Sequence, residues 1–240
     1  MSRSLLAAAF LFLALRPLLA QEEPAEDTSA GLPKEYADYL IASITLSPDK
    51  KFAVIYPKTE LCPDEPKKGS ANRCKNYLVA LQPFQILTTF ETKSPEFQNK
   101  NHGGISATWS KDGSAALVSL DSKWGPADVF LYEIRDGKVS RSTSLLPKVN
   151  DLFVPDYKAA KIGPADDAAF LIEPPEEGTF AEFTDSTHVR ILAKATTDPK
   201  ETPGRKAWDA TVDAVWDITQ ARFTSQKVKR TFAGVRKADD

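Results

Sequence analysis

The sequence predicts an all-β fold of antiparallel β-meanders. Short apolar, partly β-branched runs recur along the chain, and turns rich in Asp, Pro and Gly separate them. The 240 residues are 42% hydrophobic and 27% charged, a globular composition that excludes wholesale disorder, collagen and coiled coil. A formal charge of -2 provides no global field to recruit nucleic acid.

Residues 1–20 read as a secretory signal. Arg3 precedes the apolar run Leu5 to Leu15, and Leu18-Leu19-Ala20 offers a cleavage point before Gln21. That run is too short to span a bilayer; an uncleaved anchor is the alternative. No later segment is long and apolar enough to span one, so a secreted or periplasmic location is expected, with no membrane span after signal removal. Residues 21–33 are acidic and nearly free of large apolar side chains, so they read as a disordered leader. Residues 34–240 read as one β domain of about three units.

The first unit begins at Leu46-Ser47-Pro48-Asp49-Lys50-Lys51-Phe52-Ala53-Val54-Ile55-Tyr56. Ser-Pro-Asp makes a tight turn in which the carboxylate accepts backbone N–H groups, and the apolar run is a buried strand. Cys62 and Cys74 follow, flanking a polar loop with Pro and Gly. In an exported chain such a pair is most simply a disulfide. Strands at 77–81 and 85–90 complete the unit.

The second unit begins at Trp109-Ser110-Lys111-Asp112-Gly113-Ser114-Ala115-Ala116-Leu117-Val118. A strand at 128–134, the turn Arg135-Asp136-Gly137-Lys138 and a run from Val139 to Leu145 make a hairpin. The third is weaker: Gly163-Pro164-Ala165-Asp166-Asp167 leads into Phe170-Leu171-Ile172. Runs at 189–195, 211–218 and 222–232 extend it.

The Ser-Pro-Asp-Lys-Lys and Trp-Ser-Lys-Asp-Gly-Ser runs resemble the turn-strand signature of WD40-like and TolB-type β-propeller blades, well over 45–145 and poorly over 163–232. The resemblance implies that each turn joins the inner strands of a blade. Two departures stand against it: an ordinary propeller has at least four blades, and Trp208-Asp209 and Trp216-Asp217 do not fall where a blade-ending pair belongs. The chain therefore reads first as a partial or diverged propeller, with an open stack needing a partner and a single large sandwich as alternatives.

Candidate sites are few. Trp124, between Lys123 and Gly125-Pro126 and near Asp128, sits in a loop and suits recognition of a peptide or sugar, although a loop Trp folded over the core is the commoner arrangement. His102 precedes Gly103-Gly104, whose N–H groups could meet an anion; a solvated loop histidine is the plainer reading. The chain has no Gly-x-Ser-x-Gly, no His-Glu-x-x-His, no EF-hand loop and no phosphate-binding glycine loop. No cofactor or metal is implied, and nothing singles out a glycosidase pair among 33 acids. Charges from Arg222 to Lys237 read as protection of an edge strand. The expected function is an exported, non-catalytic binding module whose partner is a protein, envelope component or glycan. A hydrolase with an acidic site and a self-associating structural module are the alternatives.

Overall fold

The computed structural model describes residues 27–58, 74–92, 104–163, 170–176 and 178–237. The strands form three antiparallel sheets, each a meander in chain order. Sheet one contains β1 (Tyr39–Ile41), β2 (Phe52–Pro57), β3 (Cys74–Leu81) and β4 (Phe84–Thr92). Sheet two contains β5 (Gly104–Trp109), β6 (Ala115–Ser122), β7 (Gly125–Arg135) and β8 (Lys138–Ser144). Sheet three contains β9 (Leu171–Glu173), β10 (Ala181–Phe183), β11 (His188–Thr196), β12 (Lys206–Asp217) and β13 (Arg222–Val235).

Stretches 46–56 and 109–120 thus lie in different sheets, and their turns are bonded alike. Ser47 Oγ donates to Asp49 Oδ1 at 2.7 Å and accepts from the N–H groups of Lys51 and Phe52, both at 3.0 Å. Ser110 Oγ donates to Asp112 Oδ1 at 2.8 Å and accepts from the Ala115 N–H at 2.9 Å. The residue after each Asp is left-handed, Lys50 at φ 57 and Gly113 at φ 70. In both turns one buried serine hydroxyl closes the strand entrance, and the Asp holds that hydroxyl in place. Hairpin β7–β8 turns at Asp136 and Gly137, with φ of 51 and 69, the doubly left-handed geometry that Asp-Gly favours.

The third unit opens with the strand expected after residue 169, present as β9. The turn at Asp166 lies outside the described residues. A further turn, joining β10 to β11, is at Asp185, whose Oδ1 accepts the Thr187 N–H at 2.7 Å and hydroxyl at 2.8 Å. Asp112 treats Ser114 the same way, at 3.1 and 2.7 Å. The first strand is also broken in two. Strands β9 and β10 pair with opposite ends of β11, Glu173 opposite Lys194 and Ala181 opposite Ile191. Pro174 and Pro175 follow β9 directly; neither has an N–H to donate, so the ladder stops and the chain loops outward.

The sheets stack face to face. Val54, Leu78 and Phe90 of sheet one pack with Trp109, Val118 and Tyr132 of sheet two. Trp109 also stacks on Phe52 at 5.6 Å, and its Nε1 donates to the Thr45 carbonyl at 3.0 Å. The opposite face of sheet two, through Ala115, Leu117, Val129 and Leu131, shares a core with Ile191, Trp208 and Trp216 of sheet three. Each such large apolar side chain contributes about 1.5–3 kcal/mol on burial.

Helix α1 (Leu146–Ala160) links β8 to β9 and joins this second core, an element that the sequence reading did not include. Leu145, Val149, Phe153 and Tyr157, at i,i+4 spacing, are buried on it. Asp156 accepts from Trp208 Nε1 and Arg230 Nε, both at 2.8 Å, tying the helix to β12 and β13. Among the described residues no helix is long and apolar enough to cross a membrane.

Candidate functional site

Strand alternation places Ala115, Leu117, Ser119 and Asp121 on one face of β6. The first two are buried in the core shared with sheet three, whereas Ser119 and Asp121 line a cleft. Ser106 lies opposite Ser119 on β5, and Thr108 opposite Leu117. The cleft floor thus changes from apolar to hydroxylated along the strands.

The second wall is the loop that leaves sheet three between β9 and β10: Glu173, Pro174 and Gly178 to Ala181. The proline break described above therefore makes the cleft. Its volume is about 570 Å³, within the range of small-molecule sites. Ser119 Oγ donates to Asp121 Oδ1 at 2.8 Å. Among the described residues no side-chain hydrogen bond engages the hydroxyls of Ser106, Thr108 and Thr179 or the Glu173 carboxylate.

The rim is the two-residue hairpin Lys123-Trp124, clasped by Ser122 Oγ donating to the Gly125 carbonyl at 2.8 Å. Trp124 is 45% exposed, and Lys123 Nζ lies 4.9 Å from its ring centroid, a cation–π distance. Gly125 has φ 140, and a Cβ there would meet the Ile172 carbonyl oxygen at 2.4 Å. Only glycine lets the hairpin lie this close to β9.

Lys123 and Trp124 therefore meet as expected, but Asp128 does not join them. Its Oδ1 accepts from Ser144 Oγ and from the Val129 N–H, both at 2.8 Å, and it lines a separate groove of about 390 Å³ beside the start of α1. Between Trp124 and Asp128 the β6–β7 ladder shifts register, Asp121 opposite Pro126 and Leu120 opposite Asp128, and the extra residue Ala127 re-aims the strand. His102 and Cys62 lie outside the described residues, and Cys74 opens β3, so the expected disulfide is not described. His188 Nδ1 contacts both Asp185 and Thr187 Oγ1. These contacts cap the turn at Asp185, and the opposite nitrogen, Nε2, lies 3.8 Å from Asp217 Oδ2. The residues missed were Ser106, Thr108, Ser119, Asp121, Glu173 and Thr179; the alternation Leu117-x-Ser119-x-Asp121 was the available signal.

Fold and cleft together define an all-β chain of three stacked meanders with a polar groove between the second and third. No protein-family model, curated protein or solved structure matches this chain.

Proposed function

We propose that the chain is an exported, non-catalytic binding module of propeller-like descent, and that its ligand-binding site is the cleft under Trp124. The carrying observation is the exposed indole over a hydroxyl-lined groove. Large apolar side chains in solvent are informative where they border a concavity. The signal-like residues 1–20 support export, and the paired Ser-Asp turns support the propeller relationship.

The test has two parts. The full chain is expressed with its own N-terminus, cells are fractionated, and the N-terminal residue of the extracytoplasmic product is sequenced. Its retention on isolated cell envelope is then compared with that of Trp124→Ala. A product beginning near Gln21, and retention lost in the variant, are expected. A product beginning at Met1 inside the cell, or unchanged retention, overturns the reading.

One observation favours a second reading: Asp121 and Glu173 line the same cleft, so a hydrolase with an acidic site is the alternative. Release of reducing ends from a glycan, abolished by Asp121→Asn or Glu173→Gln, would establish it.

A further inference from the structure

The lining of the cleft specifies its ligand more narrowly, taking the binding-site reading above as its premise. We infer that the cleft takes a neutral oligosaccharide. A pyranose offers an apolar C–H face and a rim of hydroxyls that both donate and accept. The cleft presents the matching set: the exposed Trp124 indole at the mouth, and a lining that carries the Ser106, Thr108 and Thr179 hydroxyls with the Asp121 and Glu173 carboxylates, of which Thr108, Thr179 and Asp121 are open to solvent. Carboxylates accept from sugar hydroxyls as charge-assisted bonds, the stronger kind.

The same groups decide against other ligands. Two carboxylates lining the cleft repel uronates, sulfates and phosphates. The nearby cation, Lys123, lies against the Trp124 ring at the rim rather than on the floor. A helical peptide needs a continuous apolar groove, and this floor turns polar at Ser119. A basic peptide would meet the two carboxylates but has no use for the Ser106, Thr108 and Thr179 hydroxyls, so a neutral ligand with many hydroxyls matches more of the lining.

The purified mature chain is titrated calorimetrically with cello-, chito-, manno- and xylo-oligosaccharides, with oligogalacturonate, and with an oligolysine peptide as the basic-peptide probe. Indole fluorescence is followed in parallel. Binding to at least one neutral series is expected, with none to oligogalacturonate. Trp124→Ala should weaken it at least about tenfold, Trp124→Phe should retain most of it, and Asp121→Asn should weaken it with an unchanged thermal midpoint. Trp124 is exposed, so its variants keep the fold, and their melting curves check this. No binding to any neutral series, binding to oligolysine alone, or equal affinity of Trp124→Ala overturns the inference. If Trp124→Ala still abolishes envelope retention in that event, the binding site stands and only its ligand class falls.

Discussion

At one end of the stack Ala53, Ile55 and Val79 are fully buried, with Leu32 and the Tyr36, Tyr39, Tyr77 and Phe84 rings packed against them. Ring centroids within that cluster lie 5.0 to 5.9 Å apart. At the other end the outward side of sheet three carries solvent-exposed ion pairs: Arg190–Asp213 at 2.9 Å and Lys194–Glu176 at 2.8 Å. The two faces occupy corresponding places in the repeat. One is sealed by apolar contact and the other by hydration. Covering the second with another sheet would strip water from several charges, at several kcal/mol per ion. A repeat therefore fixes how its units stack and leaves open how the end units are finished.

The sharpest way to break this contrast is Ile55→Ala. It should cost about 2–5 kcal/mol, as for a fully buried core aliphatic, read from urea unfolding. A loss below about 1 kcal/mol would mean that the end face is solvated after all.

The turns should be indifferent to which sheet they serve. Ser47 and Ser110 are 2% and 0% exposed, and replacing either with Ala orphans backbone N–H groups at about 1–3 kcal/mol. Similar losses from the two variants sharpen the repeat; a neutral Ser110→Ala breaks it.

Acid should act on the same turns. The Lys51 ammonium and the Ser47 hydroxyl hold Asp49 down at about 2. The Thr187 backbone N–H and hydroxyl hold Asp185 at about 2, and Ser114 lowers Asp112. A carboxyl group whose folded value lies below its unfolded value near 4 stabilises fully above that value and loses its contribution as pH falls toward 2. Urea midpoints should therefore fall between pH 4 and pH 2. The fall should be shallower in the Asp49→Asn, Asp112→Asn, Asp185→Asn triple variant; an identical slope would remove these turns from the acid response.

Smallest of all is the charged end. A double-mutant cycle of Arg190→Ala and Asp213→Ala should give about 0.2–1 kcal/mol, reduced by salt. A coupling above about 2 kcal/mol would contradict a hydrated face.

Much of the fold was legible where local chemistry alone decides it. The Ser47 and Ser110 turns and the Asp136-Gly137 hairpin all follow from short runs. Helix α1 was not: two prolines, Pro147 and Pro155, fall within its span and general propensity speaks against a helix there. Pro147 instead occupies the first turn, where its missing N–H costs nothing, and burial of Leu145, Val149, Phe153 and Tyr157 outweighs Pro155. The Asp185 turn lacks Pro and Gly and gave no punctuation. The cleft was half legible: Trp124 and Lys123 from the sequence, but its far wall only once Pro174-Pro175 is seen to expel a loop from a sheet.

The contact between Gly125 and β9 limits how the groove can behave. With the hairpin backbone already against the Ile172 carbonyl, the tip has no room to clamp down on a guest. The aperture has a floor on its width, and what can still move at its mouth is the indole and its lysine neighbour, turning about their own bonds. Such rotations take picoseconds to nanoseconds, far faster than any rearrangement of the main chain.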